Sequence, residues 1–442
     1  MIMQTIKIIK PISRLNISNL IYQLFLLLLG IIALLLIVSI KSKTSSDFLG
    51  DPLLFFYTIF VTTFQLSRVV GAMFYKHSVS KITQSLARGG DYEPSVTFVI
   101  PCKNEGGAIA KTITKCFNAD YPTEKLEVIV INDGSTDNTI DVLKELKKKY
   151  NKLIIIDWKI NRGKRHGMAE GFRMAKGEII IQLDSDSYID PKTFRNLIRP
   201  FQIQEIGAIC AHADPENADE NFLTKMQAAY YFMSFKILKA AESTFMSVFC
   251  CSGCSSAYRK SIVLPILDEW LNEKFLGLPV TWGDDRALTN WVLKRNYKTI
   301  YTDDVQAYTI CPNNLKTFLK QQVRWKKGWF VNSMFASKFI YKKHPFVSFT
   351  YFFPLIFLTL ATPFMATKAL IYNPIFNGMT PFFYVSGIFL VSCVIVLYYR
   401  SVARNNKYWS YVFVWSAINM IVLSFILFYA LATIQNRKWG TR

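Results

Sequence analysis

Five long apolar runs set the outline of this chain. Residues 20–40 and 53–75 come first, and residues 346–371, 381–399 and 409–433 come last. A helix needs about 20 apolar residues to cross the hydrocarbon core of a bilayer, so each run is a candidate span. The first starts too late, and runs too long, to be the apolar part of a cleaved signal sequence, which is about 7–15 residues. Between the two groups lies a block of mixed composition, residues 76–345, with enough chain for a core of its own. The composition agrees with such a hybrid, since 51% of residues are hydrophobic while 19% remain charged.

The formal charge of +21 raises nucleic acid as a partner. The basic residues are dispersed, however, and no nucleic-acid-binding signature accompanies them, so that class is excluded. A membrane explains the charge better. Lys7, Lys10 and Arg14 precede the first run, whereas the loop 41–51 is balanced. The positive-inside rule then puts the amino terminus and the central block on the cytoplasmic side of a multi-pass cell-membrane protein, with many remaining cations facing anionic lipid. Past residue 346 two topologies are open. Three spans leave Arg437, Lys438 and Arg442 outside; alternatively Pro354 and Pro363 break the first of them into a re-entrant piece, and the tail is cytoplasmic. Eight scattered cysteines in a reducing compartment predict no disulfides. Cys251 and Cys254 have the spacing of half a zinc site, but nothing completes it, so a packed loop is expected there.

Within the central block, strands are expected at residues 96–100, 127–131, 153–157, 178–183 and 207–211, alternating with helices as in a mostly parallel α/β sheet. Their ends carry the polar residues. The run Ile179, Ile180, Ile181 stops at Leu183 and turns acidic at Asp184 and Asp186, a spacing suited to a hard divalent cation with substrate phosphates. Asp133 ends the second strand, and Lys164 with Arg165 follows the third, two cations able to meet a diphosphate. Gly106 and Gly107 open a helix whose first amides are candidates for an anion. Residues 191–204 and 221–245 read as helices, the second long and aromatic. Asp284 and Asp285 start another helix, where the dipole favours them and where one can serve as a general base. From Pro312 an amphipathic helix carries Gln321, Arg324, Trp325, Lys326 and Lys327, the pattern of an interfacial helix.

The ordered set Asn132-Asp-Gly-Ser135, Gly163-Lys-Arg165, Asp184-Ser-Asp186, Gly283-Asp-Asp-Arg286 and Gln321-Gln-Val-Arg-Trp325 resembles the processive family 2 glycosyltransferases, which make hyaluronan, chitin, cellulose and poly-N-acetylglucosamine. Gly-Asp-Asp-Arg286, followed by Leu288-Thr-Asn290, and the tail Trp439-Gly-Thr-Arg442 are most similar to hyaluronan synthases. Two positions depart from the pattern: Asn132, where a first Asp is usual, and Cys254, where Pro is usual. The resemblance implies a GT-A-like cytoplasmic domain inserted between groups of transmembrane helices. It implies four regions: a membrane region over 1–80, the transferase domain over 92–311, an interface helix region over 312–345 and a membrane region over 346–442.

The implied activity is an inverting, processive transfer from UDP-sugars to an exported β-linked polysaccharide, most like hyaluronan synthesis from UDP-N-acetylglucosamine and UDP-glucuronic acid. A chitin or poly-N-acetylglucosamine type of homopolymer is the nearest alternative, and a non-catalytic membrane protein a distant one. By the same resemblance Asp133 binds uracil or ribose, Lys164 and Arg165 the diphosphate, and Asp184 the nucleotide. Asp186 holds Mg²⁺ or Mn²⁺, Asp285 is the base with Asp284 beside it, and Arg286, Gln321, Arg324 and Trp325 serve substrate and nascent chain.

Overall fold

The computed structural model describes residues 50–75, 79, 92–343 and 345–436. The expected first span and the Trp439 tail lie outside the described residues. The central block is built on one eight-stranded sheet in the order β3-β2-β1-β4-β7-β6-β10-β5. Its strands are β1 Val96–Cys102, β2 Leu126–Asp133, β3 Leu153–Trp158, β4 Ile179–Gln182, β5 Ser187–Ile189, β6 Ile206–Pro215, β7 Ser256–Arg259 and β10 Lys298–Thr309; β8 Lys274–Phe275 and β9 Leu278–Pro279 form a separate hairpin. β1 runs parallel to both β2 and β4, and β2 to β3, whereas β7 is antiparallel to β4 and β6. Strand order therefore reverses at β1, and the crevice beyond the carboxyl ends of β1, β2 and β4 is where an open α/β sheet takes its ligand.

The apolar runs explain why these strands are central. Val99, Ile100, Val128 to Ile131 and Ile179 to Ile181 are all fully buried, as parallel strands covered on both faces must be. Helix Lys164–Met174 covers β1 and β2 and comes so close that a Cβ on Gly171 would lie 2.3 Å from Val99 Cγ1. Only glycine permits that approach.

Two expected helices are interrupted. Residues 191–204 form three short pieces, Pro191–Thr193, Phe194–Ile198 and Arg199–Gln202; Pro191 only starts the first, whereas Pro200, inside the run, has no amide to donate. The long helix after Asn221 runs as Phe222–Phe232, widens to a π-helical stretch at Met233–Lys239 and resumes at Ala240–Ser243. The amphipathic helix spans Leu315–Ser337, three residues later than Pro312, since the Asn314 side chain caps it by accepting from the Thr317 amide at 2.9 Å.

Three described helices are long and apolar enough to cross a membrane: Pro52–Tyr75, Pro345–Phe376 and Phe382–Val402. Tyr411–Leu423 and Ile426–Ala432, bent by 43°, make up one more candidate. Pro363 lies inside a helix that continues past it, so the break falls at the last span instead of the re-entrant piece considered for the first. The span Pro52–Tyr75 is tied to the transferase domain by Arg68. Its guanidinium is fully buried, donates to Glu242 Oε1 at 3.1 Å and lies 4.1 Å from the centre of the Tyr351 ring. Removing one partner of such a pair leaves the other charge buried and unmatched. Arg68→Met should destabilise the protein by about 3–5 kcal/mol, read as a lower thermal unfolding midpoint in detergent; an unchanged midpoint would show that the pair contributes nothing.

Candidate active site

A cleft of about 1100 Å³ opens at the crevice between β1, β2 and β4. Asp133, Lys164, Arg165, Asp184, Asp186, Asp284, Gln321 and Arg324 all border it, so one cavity gathers eight of the eleven expected residues. Asp285, Arg286 and Trp325 do not line it.

Asp133 closes β2, and its carboxylate holds the next loop. It accepts from the Arg162 amide at 2.6 Å, the Gly163 amide at 2.9 Å and Asn161 Nδ2 at 3.0 Å. Gly134, at φ +65°, makes room for that loop, since a Cβ there would lie 2.7 Å from Asn161 N. Asn132, where the family has an acid, donates to Asp157 Oδ1 at 2.8 Å on the neighbouring strand. An aspartate at that position would face Asp157 as a second negative charge. The first amides of the Gly106 turn are already engaged, Gly106 N by Asp137 and Glu105 N by Thr139, so the expected anion contact there gives way to a clasp between two loops.

Lys164 begins its helix with its ammonium on Asp184. Burial opposes that charge, but Asp184, with Asp284 and Asp285 beyond it, outweighs burial and holds the Lys164 pKa above the usual lysine value. Arg165 turns the other way. Only 5% exposed, it donates to Asp284 Oδ1 at 2.9 Å, to Glu273 Oε2 at 3.0 Å and to the Trp270 carbonyl at 2.9 Å. Two of its nitrogens are thus engaged in a buried network, while Nη2 has no hydrogen-bond partner among the described residues. Asp284, 5% exposed, belongs to that network too. Glu273 was not expected from its sequence context; burial raises its carboxyl pKa and Arg165 opposes the rise.

The other two acids meet at one residue, Gly253. The Asp184 amide donates to the Gly253 carbonyl at 3.0 Å, while the Gly253 amide donates to Asp285 Oδ2 at 3.2 Å. Asp285 Oδ1 accepts from the Arg286 amide at 2.8 Å, and the Cys250 thiol lies 3.8 Å from Oδ2. Asp186 stands beside Asp184 on the cleft wall, with Ser187 Oγ 3.2 Å from Oδ1.

Above these acids the helix Leu315–Ser337 presents Arg324. Burial lowers its pKa, and Asp184, Asp285, Asp284 and Asp186, in that order, draw it back up. A guanidinium stays charged under such a shift, so Arg324 is a cation within electrostatic reach of all four carboxylates. Gln321 Oε1 is buried on the same wall with no hydrogen-bond partner among the described residues, an acceptor waiting for a donor. Trp325 faces away, its ring centre 6.0 Å from that of Tyr230, whose ring lies 4.2 Å from Trp415.

Two carboxylates at a cleft rich in cations fit a hard divalent metal. Among the described residues no group of three or more His, Cys, Asp or Glu could hold a metal alone; substrate phosphates and water would therefore have to complete the coordination, which is how Mg²⁺ is usually held.

Comparisons agree with this geometry. Residues 97–266 match the profile of Glycosyl transferase family 2. The chain is 30% identical over 365 residues to a hyaluronan synthase of Streptococcus pyogenes, covering 80% of this chain and 85% of that protein. It is 26% identical over 357 residues to an N-acetylglucosaminyltransferase of Azorhizobium caulinodans, covering 79% of this chain and 87% of that protein. Among solved structures, a mannosyltransferase from Pyrobaculum calidifontis in complex with GDP-Man and Mn²⁺ superposes with a TM-score of 0.56 at 18% identity, covering 87% of this chain and all of that one, which establishes the GT-A-like fold. With a transferase cleft set against membrane-length helices, and with relatives matched along most of their length, the chain belongs to the processive family 2 glycosyltransferases and is a membrane polysaccharide synthase.

Proposed function

We propose that the chain polymerises UDP-sugars on the cytoplasmic side of the cell membrane into a β-linked polysaccharide of the hyaluronan type, which it exports through its own helices. The observation that carries this reading is Gly253, whose carbonyl accepts from the Asp184 amide at the donor cleft and whose amide donates to the Asp285 carboxylate. Transfer needs two things at once, a stabilised leaving diphosphate and an activated acceptor hydroxyl.

In this reading Asp133 orders the loop 161–163 around the nucleoside and Lys164 meets the diphosphate. Asp184 orients the nucleotide, while Gln321 and Arg324 close the cleft over it. Arg165 and Asp284 are positioning residues, since their buried pair fixes the start of two helices at once. Asp186, with Asp184, would hold Mg²⁺ or Mn²⁺, which supplies positive charge to the departing UDP. Asp285 takes the proton from the acceptor hydroxyl as that oxygen attacks the anomeric carbon; the bond to UDP breaks on the opposite face, so an α-linked donor yields a β-linked product. Trp325 and Tyr230 offer aromatic faces on the acceptor side, where sugar rings pack well. The relatives named as hyaluronan synthases support UDP-N-acetylglucosamine and UDP-glucuronic acid as donors, whereas the N-acetylglucosaminyltransferase relative favours a homopolymer as the second reading.

Metal dependence is tested by chelation: EDTA should abolish UDP release and Mn²⁺ or Mg²⁺ restore it, while Asp186→Ala stays inactive with either metal. Full activity of that variant in excess EDTA would exclude the role. Asp285→Asn keeps the shape of the base but cannot accept a proton, so turnover should fall by roughly 10²–10⁴-fold while UDP binding persists. Asp284→Asn should instead lower the unfolding midpoint, because it weakens the pair with Arg165; if Asp284→Asn alone lost turnover with its midpoint intact, the base would be Asp284. The product is tested by giving purified protein each UDP-sugar singly and in pairs. Polymer only when both UDP-N-acetylglucosamine and UDP-glucuronic acid are present supports the hyaluronan reading, and long polymer from UDP-N-acetylglucosamine alone replaces it with the homopolymer.

A further inference from the structure

A polymer in which every second sugar is a uronic acid brings a carboxylate past the base once per repeat, and some cation must receive it. Lys327 is not that cation, because its ammonium donates to the carbonyls of Thr433 at 2.6 Å and Asn436 at 3.2 Å and ties the last span to the interface helix. Lys239 has the right chemistry. It ends the widened stretch Met233–Lys239 and is 7% exposed. Its ammonium donates to Ser252 Oγ at 2.7 Å and lies 3.8 Å from the centre of the Phe235 ring. Among the described residues it forms no ion pair.

The groups around Lys239 do not neutralise it. Cys210, Cys250 and Cys254 lie within its electrostatic reach, but burial pushes all three thiols up, Cys250 to about 12, so they carry no charge near pH 7. A buried ammonium without a counter-charge is costly to maintain. A second cation lies in the same surroundings: Arg286, half-buried, shares Cys250 and Tyr230 as electrostatic neighbours with Lys239, and its side chain also has no ion pair or hydrogen bond among the described residues. The Asp285 carboxylate touches the Cys250 thiol and accepts from the Arg286 amide, while Ser252, which holds the Lys239 ammonium, immediately precedes Gly253, whose amide also donates to Asp285. A widened helical turn often marks a functional position, and here it carries the buried lysine.

We propose that Lys239 and Arg286 form an anion subsite on the acceptor side of Asp285 that receives the carboxylate of a uronic acid at the growing end of the chain. The proposal rests on the hyaluronan reading of the preceding subsection. It assigns the pair to one half of the reaction cycle, the addition of N-acetylglucosamine to a chain that ends in a uronic acid; the opposite half-reaction has no carboxylate at that end.

The test uses purified full-length protein carrying chains it has made itself. Chasing with UDP-glucuronic acid alone stalls the chains at a uronic acid end, and chasing with UDP-N-acetylglucosamine alone stalls them at an N-acetylglucosamine end. Single addition of the other sugar is then timed. Lys239→Met should slow addition of N-acetylglucosamine to uronate ends about tenfold or more relative to the converse addition, and Lys239→Arg should recover most of that difference. Equal slowing of both additions, no slowing, or slowing confined to transfer from UDP-glucuronic acid would each overturn the proposal. Should Lys239→Met fail to accumulate, Arg286→Gln, less buried, carries the same comparison with the same outcomes. A wild-type protein that extends its chains from UDP-N-acetylglucosamine alone would instead overturn the hyaluronan reading, which keeps the two failures apart.

Discussion

The peptide of Gly253 sits where no other residue fits. A Cβ at this position would lie 2.7 Å from Gln182 Nε2 and 2.9 Å from Asp184 Oδ1. Neither neighbour is free to move, since Gln182 is fully buried and accepts from Ser256 Oγ at 2.9 Å, and Asp184 is held by Lys164. The missing side chain lets the backbone pass between the acid that faces the nucleotide cleft and the acid proposed as base, with one hydrogen bond to each. The loop Cys250 to Cys254 is therefore the common wall of donor and acceptor sides. Its small residues follow from that position.

This wall is anchored to the membrane. Glu242 accepts from Arg68 through Oε1 and from the Phe249 amide, at 3.1 Å, through Oε2. Phe249 immediately precedes the loop. Tyr75, at the end of the same span, donates to the Tyr301 carbonyl at 3.1 Å and accepts from the Asp303 amide, which fixes β10 beside it. From the opposite side the interface helix brings Arg324 over the four acids. Transferase domain and membrane helices thus share buried charge across their boundary.

The sequence made the scaffold legible because burial dictates composition. Strands covered on both faces must be apolar throughout, as Ile179 to Ile181 are, and spans must be long and apolar, so five of the eight strands of the sheet and the three described membrane-length helices fall where such runs occur. The strand tips were legible for the same reason, since a polar residue after such a run has little other purpose. What could not be read was direction. Neighbours on a helix point about 100° apart, so each adjacent pair singled out as one unit divides in the fold. Lys164 faces the cleft while Arg165 enters a buried network; Asp284 joins Arg165 while Asp285 turns to Gly253; Arg324 covers the acids while Trp325 turns to Tyr230. Glu273 and Lys239 gave no local signal at all, because their partners lie far along the chain or in a helix whose widened turn has no sequence signature.

If one residue, Gly253, couples the two halves of transfer, its geometry should be testable without touching a charged group. Gly253→Ala in detergent-purified protein, assayed for UDP release under saturating UDP-sugars, should reduce turnover by about 10²-fold, the usual effect of displacing reacting groups by roughly 1 Å. UDP binding should weaken along with turnover and the unfolding midpoint fall modestly, since the strain falls on Asp184, which orients the nucleotide in this reading, and on the buried Gln182. Turnover unchanged by this methyl group would contradict the claim that the Gly253 peptide sets the spacing between donor acid and base.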